Sequence, residues 1–105
     1  MKQITPKAVK EMIDAGQPLM ILDIREDWEL ATANLPGAVH ISMDMLPESL
    51  DQIPKDQDVV VVCHHGGRST QVAFWLSTQG YTRVMNLVGG IDRWAVEVDQ
   101  NLPRY

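Results

Sequence analysis

The chain has 105 residues, of which 45% are hydrophobic and 22% are charged. This length leaves room for one domain, and the composition is that of an ordinary globular protein. Its apolar runs, such as residues 59–63, are far shorter than the roughly 18 residues that a membrane-spanning helix requires. The formal charge of −5 opposes nonspecific binding to nucleic acid or to an anionic membrane surface. We therefore expect a single domain over residues 1–105, located in the cytoplasm, with no nucleic-acid partner and no direct membrane contact.

The first half of the sequence predicts helices that alternate with short strands. Thr5 is a suitable N-cap, Pro6 is a suitable first helical residue, and Gly16 ends the helix. The apolar run that leads into Asp23 has the pattern of a strand covered on both faces. The elements expected here are a helix at 6–15, a strand at 19–24, a short helix at 26–32, a brief strand at 38–41 and a helix at 42–53 that Pro47 interrupts.

The second half continues this alternation. The valine run before Cys63 is typical of a central parallel strand. Apolar residues at helical spacing follow, and Gly80 is placed as a C-terminal cap. The elements expected here are a strand at 58–63, a helix at 69–79, a strand at 83–88 and a helix at 91–98. This order, without a tight hairpin signal, favours an α/β fold with a mainly parallel sheet of four or five strands and helices on both faces.

Cys63 is the only cysteine, so the chain can form neither an intrachain disulfide nor a zinc site with a cysteine pair. A lone cysteine is more often an inert core thiol than a reactive one. Here, however, it ends a strand of a parallel sheet, which is where ligands bind in this fold class. Gly66 and Gly67 allow the backbone to direct several N–H groups at one point, just before a helix N-terminus. The pattern therefore indicates an anion-binding loop with a sulfur atom at its base.

Basic side chains follow Cys63 closely. Arg68 is charged at all ordinary pH values, and His64 or His65 adds positive charge when it is protonated. Positive charge beside a cysteine favours the thiolate, which is the nucleophilic form. We therefore expect a reactive cysteine.

Four segments resemble recurring segments of the rhodanese family, in their usual order. They are Leu-Asp-Ile-Arg-Glu at 22–26 with Trp28, Leu-Pro-Gly-Ala at 35–38, Cys-His-His-Gly-Gly-Arg-Ser at 63–69, and Asn-Leu-Val-Gly-Gly-Ile-Asp-Arg-Trp at 86–94. The resemblance covers essentially the whole chain and implies a stand-alone domain with the rhodanese-like three-layer fold. It also implies a thiosulfate sulfurtransferase that takes a sulfane sulfur from thiosulfate or a related donor as a persulfide on Cys63. Cyanide or a thiol would then accept that sulfur, and neither a cofactor nor a metal is implied.

The resemblance implies roles for individual residues of the site. Cys63 is expected to be the catalytic nucleophile, and Arg68 is expected at the rim, where its fork of donors would hold the sulfonate of thiosulfate. Asp23 and Arg25 are expected to form a buried ion pair that supports the site, with hydrogen bonds toward the loop that carries Cys63. The other expected substrate-binding residues are His64, His65, Gly66, Gly67 and Ser69.

Three alternatives remain open at this point. A cysteine phosphatase or arsenate reductase needs an arginine six positions after the cysteine, whereas Ser69 stands there and the arginine comes one residue earlier. A noncatalytic binding or regulatory module of the same fold usually lacks the cysteine that this chain has. A metal site made from Cys63, His64, His65 and His40 lacks the usual spacing of ligands.

The sequence leaves the cellular substrates open. The partners expected are a small-molecule sulfur donor, a thiol or cyanide acceptor, and thioredoxin or another sulfur-relay protein. Trp28 is a candidate for lining the pocket, and the C-terminal segment is expected to be ordered only if Leu102 or Tyr105 packs against the domain.

Overall fold

The computed structural model describes residues 2–105, and these contain a five-stranded sheet. The strands are β1 (Lys2–Ile4), β2 (Leu19–Asp23), β3 (Val39–His40), β4 (Asp58–Val62) and β5 (Val84–Leu87). Their order across the sheet is β1-β5-β4-β2-β3, and each neighbouring pair is parallel. The expected α/β fold with a mainly parallel sheet is therefore confirmed.

Short helical segments connect the strands. They are α1 (Pro6–Asp14), α2 (Asp27–Thr32), α3 (Gly67–Thr78) and α4 (Gly90–Glu97), together with 3₁₀ helices at Met43–Glu48 and Leu50–Gln52. Thr5 caps α1 as expected, because its Oγ1 accepts a hydrogen bond from the Ala8 N–H at 3.2 Å. None of the helices in residues 2–105 is both long enough and apolar enough to cross a membrane.

The central strand β4 is buried on both of its faces. Val59 and Val61 pack with the apolar side of α3 on one face, whereas Val60 and Val62 pack with residues of α1 and α4 on the other. Because both faces are covered by helices, the strand has no need for alternating polar residues. This explains the uninterrupted valine run and places the residue after it, Cys63, deep in the molecule.

Two segments differ from the sequence expectations. Strand β1 was not expected, since it has three residues, two of them exposed, and pairs only with β5 at the edge of the sheet. The helix predicted at 42–53 is instead the pair of 3₁₀ helices, with Ser49 between them. Pro47 lacks an N–H group, and its ring clashes with the preceding turn of an α-helix, so this segment cannot continue as one.

The register of the sheet brings polar residues from three strands to one edge. Asp23 ends β2 opposite Val62, which directly precedes Cys63. Asn86 lies in β5 opposite Val61. The connections into α2, α3 and α4 leave from this same carboxyl edge, so the residues expected to act together are brought to one side of the molecule.

Candidate active site

The thiol of Cys63 lies where backbone N–H groups of the following loop converge. The N–H of Gly66 donates to Sγ at 3.0 Å, and the N–H of Ser69 donates to it at 3.4 Å. Gly66 has a φ of 106°, a left-handed conformation that turns the chain into α3 and that side-chain-bearing residues rarely adopt. The expected convergence of amides on the sulfur is therefore present, at the positively polarised N-terminus of α3.

Helix α4 holds the Cys63 loop from the opposite side. The Ile91 N–H donates to the Cys63 carbonyl at 2.9 Å, and the Asp92 N–H donates to the His64 carbonyl at 3.1 Å. A Cβ atom on Gly90 would overlap both of these carbonyl groups. A glycine at this position therefore allows the two backbone segments to approach closely enough for the loop to be fixed.

A chain of buried polar side chains leads away from the sulfur. Cys63 Sγ lies 3.3 Å from Ser69 Oγ, the Ser69 hydroxyl donates a short hydrogen bond to Asn86 Oδ1, and Asn86 Nδ2 donates to Gln3 Oε1 at 2.7 Å. Ser69 and Asn86 are both buried. We call Cys63, Gly66, Ser69 and Asn86 the sulfur site. Asn86 belongs to one of the four segments that resemble the rhodanese family, but the sequence alone assigned it no role. The signal that could have identified it is a polar residue near the end of an apolar strand.

Asp23 and Arg25 form the expected ion pair, and both are fully buried. Arg25 Nε and Nη2 donate to the Asp23 carboxylate at 2.9 and 2.7 Å. The other bonds of Arg25 do not go toward the Cys63 loop as expected: they reach the carbonyls of Glu29 and Ala33 and the hydroxyl of Tyr105. The guanidinium therefore ties β2 to the end of α2 and to the C-terminal residue.

Arg68, which was expected at the rim as the residue that holds the sulfonate of thiosulfate, is bonded to a carboxylate in this structure. Its Nη1 and Nη2 donate to both oxygens of Glu29 at 2.9 and 2.7 Å. These hydrogen bonds lower the pKa of Glu29 to about 2, so its carboxylate is ionised at any working pH. Sequence reasoning missed Glu29; its signal was an acidic residue three positions after Glu26, the spacing of a capping box.

Tyr105 joins these charged groups to the active-site loop. Its hydroxyl accepts from Arg25 Nη1 at 2.8 Å and donates to Glu29 Oε1 at 3.1 Å. Its ring stacks on that of His64, with centroids 3.9 Å apart, and meets Trp28 edge-on. The C-terminal segment therefore packs by Tyr105. We call Asp23, Arg25, Glu29, Arg68 and Tyr105 the charged cluster.

His64 does not supply the positive charge that the sequence suggested. Burial of its ring lowers the pKa of His64 below its usual 6.5, and the neighbouring His65 lowers it further. Its ring is stacked between those of His65 and Tyr105. Because the neutral imidazole predominates at neutral pH, support for a sulfur anion comes from backbone amides rather than from this side chain.

The histidines are not arranged as the metal alternative required. Ligand atoms of His64, His65 and Asp92 lie within 4.8 Å of one another, but neither Cys63 nor His40 belongs to this group. Both Asp92 oxygens already accept hydrogen bonds from Arg104. His40 Nε2 instead lies 2.6 Å from the Arg25 carbonyl, next to the end of β2.

Comparisons with known proteins agree with this geometry. The model of the rhodanese-like domain family matches residues 5–97. The chain is 40% identical over 96 residues to the putative sulfurtransferase YtwF of Bacillus subtilis, a match covering 91% of this chain and 92% of that protein. It is 38% identical over 93 residues to a sulfurtransferase of Allochromatium vinosum, covering 89% and 87% of the two chains.

Solved structures give the same assignment. The crystal structure of a rhodanese-like domain protein from Staphylococcus aureus matches with a TM-score of 0.86 and 32% identity, over 100% of this chain and 99% of that one. A protein from Staphylococcus saprophyticus matches with a TM-score of 0.84 and 34% identity, over 99% and 100% of the two chains. With its cysteine loop, parallel sheet and near full-length matches, the chain belongs to the rhodanese-like domain family.

Proposed function

We propose that this chain is a thiosulfate sulfurtransferase in which Cys63 carries the transferred sulfur as a persulfide. Sulfur transfer is the activity named for curated relatives that match this chain over most of their length. Thiosulfate is named as the substrate of a relative from Haemophilus influenzae that is 33% identical over 93 residues. The observation that carries the proposal is the convergence of the Gly66 and Ser69 N–H groups on Cys63 Sγ.

The reaction consists of two displacements at sulfur. The Cys63 thiolate attacks the outer sulfur of thiosulfate and forms a new S–S bond, and the old S–S bond breaks so that sulfite leaves with its electron pair. Cyanide or a thiolate then attacks the terminal sulfur of the persulfide, and the Cys63 thiolate leaves. No net oxidation of the protein occurs over the cycle, so the proposal needs no cofactor.

The sulfur site is suited to hold negative charge in every state of this cycle. A terminal persulfide sulfur is anionic near neutral pH, as is the thiolate that precedes it. Fixed amide donors can stabilise such an anion without reorganising, and loss of one comparable donor costs about 3 kcal/mol in other enzymes. The Ser69 hydroxyl lies 3.3 Å from Sγ, and it can donate to the sulfur anion only by giving up its hydrogen bond to Asn86 Oδ1.

The acceptor proposed is a small thiol, cyanide or the thiol of a sulfur-relay protein such as thioredoxin. Each of these attacks the terminal sulfur of the persulfide as an anion. The location proposed for this reaction is the cytoplasm, where thiols are kept reduced.

Formation of thiocyanate from thiosulfate and cyanide tests the proposal. The wild-type chain should turn over, and the nearly isosteric Cys63→Ser variant should fall to background because its hydroxyl cannot act as the sulfur nucleophile. Asp14→Asn is a matched control, since it changes an exposed ion pair with Lys10 at the far end of α1. Turnover of p-nitrophenyl phosphate in place of thiosulfate would instead identify a cysteine phosphatase.

A further inference from the structure

Glu29 is a buried ionised group for which the proposed sulfur transfer has no use. It is 2% exposed, and its carboxylate accepts four hydrogen bonds, from Arg68 Nη1, Arg68 Nη2, the Tyr105 hydroxyl and the Glu26 N–H. So many donors hold the carboxylate in place and keep it charged. A helix cap alone would need only one of these four bonds.

The Glu29 carboxylate occupies both terminal nitrogens of Arg68, which would otherwise be available to an anionic substrate. The two terminal nitrogens of Arg68 form a planar fork, and each already donates to one oxygen of Glu29. A sulfonate can bind these two nitrogens only if it displaces the Glu29 carboxylate. If the carboxylate stays, the sulfonate binds without their hydrogen bonds. Either route weakens the attraction that a free arginine would offer.

Arg68 directly precedes Ser69, whose N–H donates to Cys63 Sγ at 3.4 Å, so the guanidinium belongs to the same turn of chain as the donors to the sulfur. The hydrogen bonds that Arg68 donates to Glu29 raise the pKa of Arg68 above its usual value, and the charge of Cys63 contributes in the same direction. Glu29 therefore cancels a positive charge that the sulfur site would otherwise sense. The net charge of −5 on the whole chain supplies no compensating attraction for anions.

We infer that Glu29 sets the charge preference for the sulfur donor: by neutralising Arg68, it disfavours the dianion thiosulfate relative to sulfane donors that carry less negative charge. This inference rests on the proposed function and adds a specificity-determining residue to it. Thiosulfate remains a donor, but with a higher KM than the same loop would have without Glu29.

Two donors of similar shape isolate the effect of charge. Thiosulfate carries two negative charges, whereas methanethiosulfonate has a methyl group in place of one oxygen and carries a single charge. In both, the Cys63 thiolate attacks the outer sulfur and the S–S bond breaks, so that sulfite or methanesulfinate leaves with the electron pair. The ratio of the two kcat/KM values therefore reports donor charge and cancels effects common to both reactions.

Glu29→Gln removes the charge and keeps an oxygen that can accept from the Glu26 N–H. We expect the kcat/KM ratio of thiosulfate to methanethiosulfonate to rise about tenfold, mainly through a lower KM for thiosulfate, as one partly screened charge near the site predicts. The double variant Glu29→Gln/Arg68→Gln removes both charges and should return the ratio to within about twofold of wild type. Asp14→Asn removes an equal charge from an exposed pair far from the site and should leave the ratio unchanged.

A measurement on the wild-type chain keeps the inference testable if Glu29→Gln does not fold. The rate of sulfur loading from each donor is divided by its rate with free cysteine, which removes the intrinsic reactivity of the donor. A relative preference for methanethiosulfonate is expected, because an Arg68 neutralised by Glu29 does not attract the dianion. A relative preference for thiosulfate would show that Arg68 still attracts it, which overturns the inference. A Glu29→Gln ratio equal to wild type also overturns it, while loading of Cys63 from neither donor would instead refute the proposed function.

Discussion

The sulfur site and the charged cluster lie side by side at the carboxyl edge of the sheet, yet one is built from neutral hydrogen-bond donors and the other from paired charged side chains. In the charged cluster, each guanidinium is bonded to a carboxylate, and the tyrosine hydroxyl bridges the two pairs. In the sulfur site, Cys63 Sγ accepts hydrogen bonds from two backbone N–H groups and lies beside a serine hydroxyl, and all three groups are neutral. The charged side chains pair with one another and hold the structure together, whereas the dipoles of backbone amides support the sulfur atom.

Under the proposed function, this difference explains how a chain with a net charge of −5 keeps an anionic sulfur at Cys63. A neutral donor that is already fixed in place stabilises a developing sulfur anion without attracting other anions from a distance. A free arginine would do both. The contrast predicts that damage to the loop abolishes chemistry, whereas damage to the charged cluster reduces stability or alters donor preference.

The largest effect is expected from Gly90→Ala. Gly90 is not part of the sulfur site, but a side chain there would displace the loop that carries Cys63. The added methyl group would overlap the Cys63 and His64 carbonyls, and the φ of 61° adds strain. We expect a loss of more than about 4 kcal/mol in the free energy of unfolding, together with loss of sulfur transfer. Urea unfolding and the thiocyanate assay measure the two effects.

Gly37→Ala is the matched control for that experiment. Gly37 has a similar φ of 80°, but a Cβ atom there meets nothing within 4 Å. We expect only the conformational penalty of about 1 kcal/mol, with activity retained. Equal effects of the two substitutions would show that backbone strain, rather than contact with the Cys63 loop, governs Gly90.

Asp23→Asn tests the charged cluster at its most buried pair. It leaves the fully buried Arg25 without its counter-charge, which should destabilise the fold by roughly 3–5 kcal/mol. Asp58→Asn removes a similar partner from Arg83 in a partly exposed pair, and it should cost at most about 1 kcal/mol. Comparable losses in urea unfolding would contradict the view that burial of the Asp23–Arg25 pair is what makes it essential.

The pH dependence of unfolding measures how much the ionised Glu29 carboxylate contributes to the free energy of unfolding. The pKa of Glu29 is about 2 in the folded chain, against an ordinary 4.5. The unfolded chain therefore binds the proton first as pH falls, and the stabilisation is present above about pH 4.5 and lost between about pH 4.5 and 2. The full contribution is about 3 kcal/mol. Subtracting the urea unfolding curves of Glu29→Gln from those of wild type should isolate this slope; parallel pH profiles would contradict it.

The smallest effect is expected from Tyr105→Phe. The substitution keeps the ring that stacks on His64 and removes a hydroxyl that makes two hydrogen bonds in the charged cluster. We expect a loss of about 2 kcal/mol in unfolding free energy, with thiocyanate formation reduced by less than about threefold. Tyr81→Phe removes a single bond to the Leu50 carbonyl and should cost about half as much.

Much of the fold and the position of Cys63 at the end of a strand could be predicted from local patterns. The valine run, the glycines and the lone cysteine each carry a local signal, and the order of elements defines a parallel sheet. The partner of Arg68 could not be predicted this way, because Glu29 lies 39 positions away and meets it only through the packing of α2 against the loop. The docking of Tyr105, which is 80 positions from Arg25, also depends on tertiary structure.

The short edge strand was not predicted, and the helix predicted at 42–53 with an interruption at Pro47 is instead a pair of 3₁₀ helices. Strand β1 is defined by pairing with β5 rather than by its own residues, two of which are exposed. Residues 43–52 have helical periodicity, but Pro47 removes a backbone donor and favours shorter turns. Patterns of hydrophobicity do not report either effect.

The most direct test of the account is the intact mass of the protein after incubation with thiosulfate and removal of excess donor. If amide groups hold an anionic sulfur on Cys63, the wild-type chain should gain the mass of one sulfur atom, and later addition of cyanide should remove it. Cys63→Ser should gain nothing. A wild-type chain whose mass is unchanged by thiosulfate and by methanethiosulfonate would contradict the central claim that Cys63 carries the transferred sulfur.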